Sequence, residues 1–121
     1  MSAGRSDRRA TSRYPVELDV DYRIEGTYLF ASIADISSCG IFVRTETPLA
    51  QGTLLQLCFE APPTLANGDG RFELAGEVVW ITADTDRPGM GVRFLEVSAA
   101  DQRRLLELVR AIAYVDDSDA N

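Results

Sequence analysis

Tyr14-Pro15-Val16-Glu17-Leu18-Asp19-Val20-Asp21-Tyr22-Arg23-Ile24 alternates between apolar and charged residues over almost its whole length. Val16, Leu18, Val20, Tyr22 and Ile24 fall on one side, and Glu17, Asp19, Asp21 and Arg23 on the other. A period of two belongs to a strand with one buried and one wet face. Working outward, Glu25-Gly26 predicts a turn and Tyr28 to Ile36 a second strand. Ser37-Ser38-Cys39-Gly40 breaks that strand, and Ile41-Phe42-Val43-Arg44-Thr45 forms a short third one. Beyond Pro48 and Gln51-Gly52 the alternation resumes from Leu54 to Glu60, with Leu55, Leu57 and Phe59 on one face. Pro62 to Gly70, containing Asn67-Gly68-Asp69-Gly70, reads as a hairpin-type loop.

Phe72 to Thr82 predicts a long fifth strand, with Phe72, Leu74, Val78 and Trp80 in register and Gly76 marking a bulge or bend. Its central position assigns Trp80 to the core. Asp84 to Gly89 is a turn, and Met90 to Val97 a sixth strand. The period then changes. Ser98 is suited to an N-cap, Asp101 follows three residues on, and Leu105, Leu108, Val109 and Ile112 recur at helical spacing. One amphipathic helix is expected over about residues 99–114, its stripe a packing surface. Six strands and a terminal helix predict a small antiparallel barrel or sandwich, the helix covering an open end or edge. The chain divides into a flexible basic arm (1–13), a body (14–115) and an acidic, disordered tail (116–121).

With 121 residues there is room for one domain and one core. An apolar fraction of 45% is ordinary for a globular chain. No apolar run approaches the roughly 20 residues of a membrane span, so no membrane insertion is expected. The N-terminus leads straight into charge with no apolar h-region, and a cytoplasmic location is the expectation. Cys39 and Cys58 lack the spacing of a zinc site or a disulfide framework. Cys58, between Leu57 and Phe59, reads as a buried structural thiol, and Cys39 as a small residue in a turn.

The chain contains no histidine, and every one of its 12 basic residues is arginine. Nucleophile–histidine pairs, imidazole metal sites and lysine chemistry are therefore absent, which argues against an enzyme and against a resident cofactor. Arginine holds its charge and offers a planar fork that suits phosphate and the edge of guanine. The net charge of −7 argues against a DNA- or RNA-binding surface. Residues 1–13 nonetheless hold Arg5, Arg8, Arg9 and Arg13 against Asp7 alone. A basic arm on an acidic body points to a local anion site.

Two clusters carry the chemistry. Arg9-Ala10-Thr11-Ser12-Arg13 precedes the first strand, and Asp35-Ile36-Ser37-Ser38-Cys39-Gly40 ends the second. Guanidinium groups make paired hydrogen bonds to phosphate and to guanine O6 and N7, and stack on base faces. A carboxylate such as Asp35 complements guanine by accepting from N1–H and the exocyclic amine. Asp35 and Ser37 are expected on one face of the strand end, and Gly40 allows a positive φ or close approach of a ligand. Tyr14, next to Arg13, could flank a bound base.

Taken together and in this order, Arg-x-x-x-Arg and Asp-x-Ser-x-x-Gly resemble the PilZ domain family. The resemblance continues through Gly76-Glu77-Val78-Val79-Trp80 and Pro88-Gly89-Met90-Gly91-Val92-Arg93-Phe94, and the later segments look most like stand-alone PilZ-like proteins of myxobacteria. It implies a six-stranded antiparallel β-barrel with one C-terminal α-helix. It also implies a non-catalytic receptor for cyclic di-GMP. Arg9 and Arg13 would hold phosphate and the Hoogsteen edges of guanine, Asp35 and Ser37 would bind a base, and Gly40 would leave room for it. Arg8, just before the first motif arginine, leans towards a stacked pair of ligands. Ordering of the arm would alter contacts with a protein partner yet to be identified. The alternative is a nucleotide-independent adaptor in motility or polarity machinery.

Overall fold

The structure, a computed structural model, describes residues 13–65, 70–82 and 86–120, with side chains described through Tyr114. Six strands form: β1 (Tyr14–Ile24), β2 (Thr27–Ile36), β3 (Gly40–Arg44), β4 (Leu54–Glu60), β5 (Arg71–Thr82) and β6 (Gly89–Leu95). All pair antiparallel in the closed order β1-β2-β3-β6-β5-β4, so the sheet is a barrel and not a sandwich. The hairpin between β1 and β2 turns on Glu25 and Gly26, with φ of 48° and 85°. Two successive positive φ values give a turn whose twist matches that of the flanking strands, and glycine takes the second at no steric cost.

The inward residues read from the alternation are the observed core. Val20, Tyr22, Leu57, Phe72, Leu74, Val78 and Val92 are buried together with Ile33, Ile36, Ile41 and Met90. The register brings the start of β1, the end of β2, the start of β3 and the end of β6 to one end of the barrel. Helix α1 (Ala99–Ala120) leaves from that end. Ser98 Oγ accepts from the Asp101 N–H at 3.1 Å, the expected N-cap. Leu105, Leu108 and Ile112 complete the barrel core, while Arg104 lies 4.2 Å over the Phe72 ring and donates to the Arg71 carbonyl at 2.6 Å. Neither Gly nor Pro interrupts residues 99–119, and the helix runs beyond the expected residue 114.

Two expectations about inward positions are corrected. Trp80 is 41% exposed on the outer face. The register shift in β5 falls between Val78 and Trp80, not at Gly76, and it moves Trp80 off the side that Val78 occupies. Gly76 is instead a packing position, where a Cβ would collide with the Val92 side chain. Cys58 is only partly buried and faces outward, since Leu57 and Phe59 take the inward positions on either side. Burial still pushes its thiol pKa up, with hydrogen bonding to Asp21 adding to the effect.

Candidate functional site

The site centres on the end of β2. Strand periodicity alone would place Asp35 on the same side as fully buried Ile33. A register shift between Ile33 and Asp35, opposite β3, inserts Ala34 as an extra residue. Ile33 and Ile36 therefore both face the core, and Asp35 turns outward. Asp35 lies opposite Pro15 on β1, which brings Arg13 over it. Arg13 Nη1 donates to Asp35 Oδ1 at 3.0 Å, with the two side chains 42% and 23% exposed. The pair is a surface ion pair whose guanidinium and carboxylate both retain open hydrogen-bonding positions.

The turn after β2 is built by Ser37. Its Oγ accepts from the Cys39 and Gly40 N–H groups, both at 3.1 Å, and its own N–H donates to the Gly40 carbonyl at 2.9 Å. Ser37 is 2% exposed. Its hydroxyl is thus engaged beneath the surface, and the expected shared open face with Asp35 is not what forms. Gly40 is also buried, and its φ lies outside the left-handed range. A Cβ there would collide with the Val92 carbonyl, so what glycine admits on that side is strand β6. The structure brings Arg13 and Asp35 together above a turn held by Ser37 and Gly40. Arg8 and Arg9 lie outside the described residues.

Sequence reasoning missed the surface beside Asp35. Asp35 opposes Phe42 on β3, Phe42 opposes Gly91 on β6, and Gly91 opposes Trp80 on β5. Phe42 and Trp80 stack with centroids 5.3 Å apart and planes 18° from parallel. Phe42 is 3% exposed yet stands outside the barrel core, covered by Trp80 and by the Arg87 guanidinium 5.8 Å above its ring. Arg44, two residues along β3 on the same face, is exposed. A carboxylate, an aromatic floor and three arginines therefore share one outer surface of an otherwise acidic body. The alternation of Phe42 with Ile41 and Val43 was the available signal for Phe42 and Arg44; for Trp80 the bulge concealed it. Among the described residues no group of three or more carboxylate or thiol side chains is arranged to hold a metal.

A six-stranded closed barrel with a capping C-terminal helix, and the Asp35–Gly40 segment at one end beside Arg13, defines a class of β-barrel domain. The PilZ domain family model matches residues 7–111, and the chain belongs to that family. Solved structures agree with it in fold. The PilZ domain of YcgR from Escherichia coli, determined with c-di-GMP, matches with a TM-score of 0.73 at 18% identity, over 93% of this chain and 97% of that one. YcgR in complex with c-di-GMP matches with a TM-score of 0.77 at 19% identity, over 93% of this chain and 49% of that one. The Bacillus subtilis inhibitor of motility, MotI/DgrA, matches with a TM-score of 0.70 at 25% identity, over 85% of this chain and 50% of that one. The chain thus spans about half the length of the MotI and YcgR chains. No curated protein matches it.

Proposed function

We propose that this domain is a cyclic di-GMP receptor that binds through Arg8, Arg9, Arg13 and Asp35 over the turn of Ser37 and Gly40. The observation that carries the reading is the Arg13–Asp35 pair at 3.0 Å on the outer barrel face, within a chain that retains both PilZ motifs. The cyclic dinucleotide offers what this surface lacks: two phosphates for guanidinium groups, and guanine edges for arginine and carboxylate. That the YcgR PilZ domain holds c-di-GMP in its own structure supports the assignment. In this reading Ser37 and Gly40 serve by shaping the turn. Arg44 and the edge of Trp80 extend the surface that a base or phosphate would meet. Arg8 favours a stacked pair of ligands, and ordering of the arm, residues 1–13, over them changes the contacts offered to a protein partner. The domain acts in the cytoplasm and catalyses no reaction: with neither histidine nor lysine, it lacks the histidine that activates a serine or cysteine nucleophile and the amine of a Schiff base.

Calorimetric titration of the whole chain with cyclic di-GMP tests the proposal, with Arg9→Ala and Asp35→Ala alongside. Loss of one charged contact is expected to weaken binding by about 1.5–3 kcal/mol, roughly tenfold to a hundredfold. Absence of binding heat from the parent chain rejects it. It would leave the second reading, a nucleotide-independent adaptor in motility or polarity machinery, which similarity to a motility inhibitor favours.

A further inference from the structure

Next to the nucleotide surface, starting one outward position beyond the Pro15 that opposes Asp35, the outer side of β1 and β2 carries a different chemistry. A closed barrel offers no free strand edge for pairing, so a partner must meet a face. Glu17, Asp19 and Asp21 occupy successive outward positions of β1, spaced by roughly 7 Å along the strand. Asp21 opposes Phe30 on β2 and Cys58 on β4. With Glu60, these carboxylates line a groove that Phe30 flanks. The one arginine among the residues lining it, Arg71, is bound to Glu73 at 2.7 Å.

Phe30 is 77% exposed. The neighbouring Tyr28 is held by Arg23, which donates to its hydroxyl at 3.2 Å and lies 5.7 Å over its ring. No such contact engages Phe30 among the described residues. A large ring left in water beside a row of carboxylates is the composition of an interface anchor with a charged rim.

We propose that this face docks an extended cationic segment of another protein. Alternate side chains of an extended chain are also spaced by roughly 7 Å, so arginine or lysine at every second position would match Glu17, Asp19 and Asp21 in turn. The aliphatic stem of the arginine or lysine that faces Asp21 would cover Phe30, which stands opposite Asp21 on β2. Charge complementarity selects the occupant and speeds its encounter; Phe30 supplies the desolvated contact that slows its release. The inference does not depend on nucleotide binding.

The probe is a synthetic decapeptide alternating arginine and serine, titrated without nucleotide into the full-length, 15N-labelled chain. Amide shifts are expected to concentrate at Glu17, Asp19, Asp21, Phe30 and Cys58. Phe30→Ser should weaken binding roughly tenfold, as should the pair Asp19→Asn with Asp21→Asn, while Glu107→Gln on the helix leaves it unchanged. If Glu107→Gln weakens binding as much as Phe30→Ser, the face is only part of a diffuse negative field and the proposal fails. If replacing Arg5, Arg8 and Arg9 by serine tightens the peptide severalfold, the chain's own arm is the occupant. If the free protein sediments as a dimer that Phe30→Ser dissociates, a second copy is. Either result overturns the assignment to another protein.

Discussion

Gly91 and Trp80 are a directly opposed cross-strand pair in which the ring of one fills the space left by the missing side chain of the other. A Cβ at position 91 would collide with the indole Nε1, so glycine lets Trp80 lie against β6 and reach Phe42. Gly91→Ala should lift the indole, break the stack and destabilise the fold by about 1–3 kcal/mol. Trp80 is the only tryptophan, so a red shift and weakening of its emission report the change directly. Unchanged emission would mean that the ring does not rest on Gly91.

Arg13 and Asp35 should matter little to folding. A solvent-exposed ion pair contributes about 0–1 kcal/mol, so Arg13→Ala and Asp35→Ala should unfold in urea within that margin of the parent. Under the proposed function, their effect should fall on ligand affinity. A stability loss above about 2 kcal/mol in either variant would make the pair a structural clamp.

Ser37 should behave in the opposite way. Ser37→Ala leaves the buried N–H of Gly40 and the partly buried N–H of Cys39 without their acceptor, a loss of about 1–3 kcal/mol. Urea unfolding with and without nucleotide separates the roles. The expectation is lower stability for the free protein, and weaker binding only in proportion to the disturbed turn.

Cys58 and Cys39 should differ in reactivity. Burial raises the Cys58 pKa above the ordinary 9.0, so little thiolate forms near pH 8. Iodoacetamide at pH 8 should label exposed Cys39 first, with mass spectrometry reading the order. A thiol whose folded pKa is raised contributes its stability below the unfolded value and loses it as pH rises through the folded one. Cys58→Ser should therefore flatten a decline in stability that begins above about pH 9.

The strands and helix were legible because each follows its own period. β1 alternates from Val16 to Ile24, and Ser98 announces the change to helical spacing before Leu105, Leu108 and Ile112. Barrel closure was not legible from these periods, because the pairing of β1 with β4 joins segments far apart in sequence. Residues displaced by a register shift were also misread. Trp80 sits beyond the shift after Val78, so its place in the alternation pointed to the wrong side. Cys58 was different: the assignment of Leu55, Leu57 and Phe59 to one face already put it on the other. At the site, the motif letters marked Arg13 and Asp35 each as a candidate ligand contact, but showed neither their pairing with one another nor the labour of Ser37 and Gly40. The hydroxyl is occupied by the turn, and the glycine by the backbone of β6, relationships that only tertiary packing creates.

The shift at Ala34 separates the presence of a motif from its display. Asp35 reaches the surface because the ladder with β3 shifts at Ala34; the same residues in an unshifted ladder would place the carboxylate on the side of Ile33, at the core. A chain that kept every residue but paired this stretch without the shift would hold Arg-x-x-x-Arg and Asp-x-Ser-x-x-Gly letter for letter while its aspartate pointed inward. In this barrel, a register shift at an alanine that belongs to neither motif determines which way the aspartate of the second one faces.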